Sequence, residues 1–333
     1  MNERRTLRQA AGVLAALLAA GGCSSQSVPA GIADPAVSAR TAAPLPASRL
    51  SAVRRTIGQR STIDRAKAKG RLLYVADAGT NAILVYTYPQ LSGAGALSGF
   101  GSVDGVCTDR RGYVWVLDTS DVVAWEFDHG GTQPINEVQP GDASGNPGVG
   151  DGCAVNPKNG DLAVAGAGSG FTVFRNGQFT HSTYWDFGFF DFKYAGYDGS
   201  GNLFVDGESQ PPYFTFGLDE LPAGSSGIKQ IVLAGGAITR PGGIQWDGAH
   251  LDIGDGASGT IYQTDGASIL GSIGTTAACQ GQFFITGNHR RAVVPDPCSA
   301  QTGVYAYPAG GSPLKTASGG ESIPLGAAIS VSP

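Results

Sequence analysis

From Gly70 onward the apolar positions of the chain fall in short runs bounded by Gly, Asn and Asp. Such runs predict strands joined by tight turns. The clearest unit is Leu72-Leu73-Tyr74-Val75-Ala76-Asp77-Ala78-Gly79-Thr80-Asn81-Ala82-Ile83-Leu84-Val85-Tyr86: strand, turn, strand. Its first strand returns as Tyr113–Asp118, Leu203–Asp206, Leu251–Asp255 and Ala292–Asp296. A further copy, Leu162–Gly166, ends in Gly where the others end in Asp. The terminal positions 77, 118, 166, 206, 255 and 296 are spaced by 41, 48, 40, 49 and 41 residues. A period in that range, filled by strands alone, is that of a propeller blade.

Two further landmarks support the period. Segments such as Asp104–Asp109, Asp151–Asn156, Tyr194–Asp198 and Pro241–Asp247 precede the copies and end in Gly- or Asn-rich turns. They read as the innermost strand of each blade. Val304–Gly311, Val122–Gly131 and Phe216–Gly224 follow the copies as a third strand and its turn. The unit at Leu72 lacks an inner strand, and Pro324–Ser332 reads as an inner strand lacking a partner. Pairing the two completes a blade and leaves no open sheet edge. The fold class expected is all-β: a six-bladed propeller over 70–333, closed by its C-terminal strand.

The residues before Gly70 are of another kind. Arg4, Arg5 and Arg8 precede an apolar run, Ala10–Ala20, too short to span a bilayer. Ala20-Gly21-Gly22-Cys23 resembles the lipobox of bacterial lipoproteins, although Ala20 stands where Leu is usual. The resemblance implies a signal peptide over 1–22 and lipidation of Cys23. It places the protein in the cell envelope, anchored to the membrane on the extracytoplasmic side (the outer membrane or the periplasm in a Gram-negative cell). Residues 23–69 read as a flexible tether rich in Ser, Ala and Pro, with one short helix within 50–68. The arginines of that helix have the charge to contact anionic headgroups, or are simply solvated.

Composition narrows the classes. The chain holds 52 Gly and 19 Pro among 333 residues, which excludes a helical bundle. Only 15% of residues are charged and the net charge is −5, so nothing marks a nucleic-acid surface. A monomer is expected.

Val75–Tyr86 also resembles the NHL repeat, V-A-D-x-G-N-x-R-I-x-V, with Ala82 in place of the usual Arg. The chain from 70 on is similar to bacterial lipoprotein propellers with Asp-Gly-Cys and Tyr-Pro-Ala-Gly-Gly segments. These are related in shape to the NHL and SMP-30-like (gluconolactonase) superfamily. That resemblance implies the six-bladed fold but leaves the function open, because the superfamily contains lactonases, lyases and binding proteins.

The candidate residues divide by whether they repeat. Asp77, Asp118, Asp206, Asp255 and Asp296 recur from blade to blade, which points to turn chemistry rather than to one site. Asp104, Asp151 and Gln280 stand at inner-strand starts beside the central channel. The SMP-30 resemblance implies a divalent cation such as Ca²⁺ held there by oxygen ligands, yet no Glu stands at an inner-strand start. No catalytic constellation is visible: the four histidines are unpaired at metal spacing, and no G-x-S-x-G elbow occurs. Aromatic residues crowd the stretch from Tyr184 to Phe216, with Tyr184, Trp185 and Tyr194 as binding candidates. Two functions follow: a non-catalytic binding or scaffold module for a protein or carbohydrate, or a metal-dependent lactonase-like hydrolase.

Apart from Cys23, four cysteines remain, an even number in an exported chain. Cys279 precedes the inner strand of blade six and Cys298 follows the next strand, so antiparallel pairing brings them together. Cys107 and Cys153 lie in the inner strands of adjacent blades, offset by one position. The expected bridges are Cys279–Cys298 and Cys107–Cys153.

Overall fold

A computed structural model describes residues 45–140, 150–166, 168–235, 238–317 and 319–332. The expected signal peptide, Cys23 and residues 24–44 of the expected tether lie outside these residues. The chain from Leu72 on forms six antiparallel sheets of the kind the repeat predicts. Blade two is typical, with Val103–Thr108 innermost, then Val114–Asp118, Val123–Phe127 and Pro134–Val138 outermost. Blade three runs from Cys153–Val155 to His181–Trp185, and blade four from Phe189–Tyr197 to Lys229–Ile231. Blade five spans Pro241–Trp246 to Ile269–Gly274, and blade six Phe284–Ile285 to Gly310–Ala317. In blade one the C-terminal strand Pro324–Ser330 lies inside Leu72–Asp77, in the register Leu72 to Ser330 and Leu73 to Ile329. Inner strands of successive blades touch around the ring, and Pro324–Ser330 touches those of both blade two and blade six. The ring is therefore closed by the pairing its two ends predicted.

Second strands such as Leu72–Asp77 are buried along their whole length, because each blade is covered on both faces by its neighbours. The inner strands converge so closely that two glycines of the landmark segments have no alternative. A Cβ on Gly105 would lie 2.5 Å from the Asp151 carbonyl oxygen, and one on Gly281 would collide with the Leu325 carbonyl. At the axis Gln282 of blade six, 1% exposed, donates its Nε2 to the Cys153 carbonyl of blade three at 2.7 Å. Blades three and six are opposite each other in a ring of six, so this side chain spans the bore.

The repeated aspartates tie five of the blades together at one end; blade three has Gly166 in that place. Asp118 accepts from the amides of Gly101 and Ser102 at 3.2 and 3.1 Å, just before the inner strand of its own blade. Asp77 does the same to Ser322, Asp255 to Arg240 and Asp296 to Ala278. Asp77 and Asp296 also accept amides of the following turn, from Thr80 and Ser299. These carboxylates are structural, as their repetition suggested. Both disulfides form: Cys107–Cys153 joins the buried inner strands of blades two and three, and Cys279–Cys298 ties the segment entering blade six to the turn after its second strand, Arg291–Asp296. Loops of 46 and 19 residues give roughly 4 and 3 kcal/mol in the chain-entropy model.

The folded body begins earlier than Gly70. Pro46 precedes a helix, Ala47–Arg60, whose Ile57 is fully buried against blades one and two, with Leu45, Leu50 and Val53 packed beside it. Thr62–Ile63 then adds a short edge strand to the outer strand of blade one. Residues 45–69 thus belong to the propeller rather than to a free tether; the helix lies where an unpartnered apolar edge needed cover. Arg49 and Arg54 pair with Asp121 and Glu137. Among the described residues no helix is long and apolar enough to cross a membrane.

Candidate functional site

In each blade the start of the inner strand, the turn after the second strand and the link from the previous blade share one end of the propeller. We call this the upper face. Asp104, Asp151 and Tyr194 meet there. The inner strand of blade four carries two bulges against its neighbour, which leave Phe190 and Lys193 out of the ladder. A bulge re-aims the extra side chain. Lys193 accordingly reaches across to blade three, its Nζ 3.0 Å from Asp151 Oδ2 and 2.7 Å from Asp191 Oδ2. The same irregularity lets the Tyr194 amide donate to Asp206 Oδ1 at 3.0 Å.

Burial opposes the charge on Lys193, but the two carboxylates outweigh it and hold the ammonium protonated beyond the ordinary lysine range. The Tyr194 phenol is pushed up by burial and then by Asp151, Asp206 and Asp104. The donor set at this mouth does not fit a resident divalent cation. An ammonium already lies between Asp151 and Asp191, and Gln282 bridges the bore. Among the described residues, the one group of three ligand-type side chains is Cys279, Asp296 and Cys298, whose two sulfurs are bonded to each other. Gln280 stands apart from Asp104 and Asp151, its Nε2 donating to the carbonyls of Thr260 at 2.7 Å and Asp255 at 3.3 Å.

Beside Lys193 the upper face carries exposed aromatic side chains from two loops. The link between blades three and four presents Trp185 and Phe187, stacked with centroids 6.0 Å apart, and Phe187 is 75% exposed. The turn after the second strand of blade four presents Tyr213, 79% exposed, and Phe214. Phe190, released by its bulge, meets Phe214 edge-on at 5.4 Å. Gln210 Nε2 donates to the carbonyls of Phe189 and Phe187 and so ties one loop to the other. Phe214 holds φ at +45°, a left-handed conformation that is costly for a bulky residue. The aromatic stretch is therefore divided. Phe189, Phe192 and Tyr197 are core between the two blades, Tyr194 is buried and Phe216 packs in the core toward blade five, whereas Trp185, Phe187, Phe190, Tyr213 and Phe214 are exposed.

Tyr184 alternates away from Trp185 and stacks on Phe171 at 5.2 Å. It lines a cavity of about 290 Å³ at the opposite, lower face, together with Tyr197, Lys158, Arg175, Asn156 and Ser182. Sequence reading singled out Asp104 and Asp151 as channel residues and Tyr194 and Trp185 as aromatic candidates, without placing the two sets on one face. It missed Asp191 and Lys193, whose one visible signal is a charged pair inside an otherwise aromatic strand.

No protein-family model matches the chain. No curated protein matches it in sequence. Solved structures do share its fold. A protein of unknown function from Bacteroides caccae aligns over 78% of this chain and 99% of its own, at 12% identity and TM-score 0.58. A chain of the nidogen/laminin complex aligns over 79% and 99%, at 14% identity and TM-score 0.64. Hydrazine synthase of Kuenenia stuttgartiensis aligns over 74% and 75%, at 11% identity and TM-score 0.52. At these identities the likeness shows the six-bladed propeller fold and nothing narrower.

Proposed function

We propose that this is a non-catalytic binding module of the cell envelope whose upper face captures a protein partner. The observation that carries the reading is the cluster of Trp185, Phe187, Phe190, Tyr213 and Phe214 on two joined loops. Contiguous exposed apolar surface of this kind marks interaction sites, and aromatic anchors dominate protein interfaces. Three of the five are Phe, which lacks the polar handle that sugars require. Lys193, Asp191 and Asp151 supply charge beside the patch for orientation. Similar folds occur in a protein–protein complex and in an enzyme, so the fold itself is neutral between the two. Serine at both Phe187 and Tyr213 should leave folding intact and weaken partner capture by at least about a hundredfold, two hot spots at about 1.4 kcal/mol or more each. Unchanged capture by a folded double variant refutes the reading.

A carbohydrate reading is favoured by one separate observation, the lower cavity. Its two tyrosines, amide and cations suit a polyhydroxyl ligand, and its volume is near the small end of ligand sites. Alanine at Tyr184 tests it in a glycan-binding assay.

We infer further that the propeller is monomeric, belongs to the NHL and SMP-30-like superfamily through the Val75–Tyr86 motif, and is anchored by lipid on Cys23. Cys23→Ser should move the protein from the membrane fraction to the soluble one. Retention of that variant in the detergent phase contradicts the anchor.

A further inference from the structure

The cavity at the lower face is walled by turns that are tied to one another. Asn156 and Lys158 stand on the turn after the inner strand of blade three, and Ser200 on the matching turn of blade four. Lys158 Nζ donates to the Ser200 carbonyl at 2.7 Å and so joins those two turns. Asn202 Oδ1 accepts the Ala223 amide at 2.9 Å, which fixes the turn after the third strand of blade four. Asp161 Oδ1 accepts the Asn176 amide at 2.8 Å, which fixes the turn that carries Arg175. A site whose walls are held before a ligand arrives loses little entropy on binding it.

Inside these walls polar groups outnumber their partners. Asn156 and Tyr197 both line the cavity, and each is only 8% exposed. Asn156 Oδ1 accepts the Lys158 amide at 2.9 Å. Its Nδ2 has no hydrogen-bond partner among the described residues, and neither has the Tyr197 hydroxyl. Buried polar groups are ordinarily paired, so both point to a ligand that supplies the partner. The Arg175 guanidinium likewise meets no carboxylate or carbonyl among the described residues, and Lys158 has used one of its three hydrogens. Asp161 is the acidic residue of the lining, and its second oxygen already accepts Asn159 Nδ2 at 2.8 Å. With Lys158 and Arg175 as its cations, the lining carries one net positive charge.

We propose that this cavity binds a sugar that carries one carboxylate, a hexuronic acid unit. The proposal rests on the carbohydrate reading of the lower cavity and is independent of the upper face. The planar fork of Arg175 matches a carboxylate bidentately, and Lys158 adds a second cation in the same lining. Asn156 Nδ2 donates to a ring hydroxyl, and the Tyr197 hydroxyl donates to or accepts from another. The Tyr184 ring, held by its stack on Phe171, gives the C–H face of the sugar an apolar wall. A volume of about 290 Å³ takes one sugar ring rather than a buried oligosaccharide. One negative charge balances the lining, whereas a phosphate ester brings about −1.5 to −2 and a neutral hexose leaves Arg175 unpaired.

Calorimetric titration of the full chain tests the assignment, with glucuronate and galacturonate, their neutral counterparts glucose and galactose, and acetate. One uronate should bind about tenfold more tightly than its neutral counterpart, and acetate should give no binding heat. Arg175→Gln should remove that preference and leave binding of the neutral sugar as it was. Tyr197→Phe should weaken acidic and neutral sugar alike by about fivefold, through the hydroxyl that both use. Arg175 is exposed and phenylalanine keeps the buried ring, so both variants should melt with the wild type. Equal affinity of the wild type for acidic and neutral sugars overturns the acid specificity and leaves the carbohydrate reading standing. Acetate bound as tightly as the uronates overturns the proposal in favour of a bare anion site. A preference that survives Arg175→Gln overturns it as well, because the ligand then lies elsewhere. Absence of binding by all four sugars overturns the proposal together with the carbohydrate reading.

Discussion

Replacing Asp252 with Asn will make the propeller more stable at pH 8 than the wild type and will flatten its stability against pH. The reason is a proton count between blades five and six. The Tyr307 hydroxyl lies 2.8 Å from Gln263 Nε2, 2.7 Å from Asp247 Oδ2 and 2.9 Å from Asp252 Oδ2. A phenol has one hydrogen to give and accepts the rest. Gln263 donates to it, so only one of the two carboxylates can receive its proton. Burial works against a charged Asp247, yet the His250 amide, Tyr307, the Ala249 amide and the His250 ring hold it down at about 2. Asp247 therefore takes the proton of Tyr307. Asp252 is fully buried, with Oδ1 unpartnered. Burial and then Asp247 push it up to about 8, against the hydrogen bond of Tyr307.

The folded chain thus keeps a proton on Asp252 that the unfolded chain surrenders near pH 4. A raised carboxylate makes the folded state bind more protons than the unfolded state between those two values. Its contribution is present at about pH 4 and is lost progressively as pH rises toward 8. Over that window the loss amounts to about 3–5 kcal/mol, or about 10 °C in midpoint for a domain of this size. Asp219 and Glu321, both raised to about 7, chiefly by burial, act in the same direction. Asparagine keeps the shape, donates to the Tyr307 oxygen and needs no proton. Thermal melts of wild type and Asp252→Asn from about pH 4 to about pH 8 check this. A flat wild-type curve, or equal destabilisation of the variant at every pH, contradicts the count.

Deleting Pro324–Ser332 will lower the midpoint by about 10–20 °C or abolish the cooperative transition. The strand supplies the inner edge of blade one in a ladder of six residue pairs. It also places Ala328 in the core shared by blades one and two, and Ala327 and Ile329 in the core shared by blades one and six. Loss of those side chains and ladder hydrogen bonds costs at least about 5 kcal/mol, and two sheet edges are opened. Melts of the truncated protein read the effect directly. A truncated chain that melts with the full-length protein contradicts ring closure.

The blades were legible because their determinants repeat. Six copies of one strand averaged out local irregularity, and the missing inner strand at Leu72 matched the surplus strand after Pro324. The disulfides followed from the same alignment. What does not repeat was harder to see. The helix at Ala47–Arg60 has one fully buried residue, Ile57, too little periodic signal to announce packing. Lys193 became visible only through a bulge, since alternation in an ideal strand would have placed it elsewhere. Gln282 looked like any polar residue near a strand start, and its role depends on the acceptor across the bore. Tyr184 and Trp185 are neighbours in sequence that serve opposite faces, which the period of two foretells only once the strand is fixed.

The proposed capture role of the upper face is tested most directly by photo-crosslinking in the host cell, with a photoreactive residue in place of Phe187, Tyr213 or Phe179. Phe179 is a surface control, 67% exposed on the turn at the lower face of blade three. The account predicts one discrete protein adduct from positions 187 and 213, none from 179, and loss of the position-187 adduct when Tyr213 is changed to Ser. Adducts from 179 alone, or an absence of protein adducts at 187 and 213 in folded protein, would contradict it.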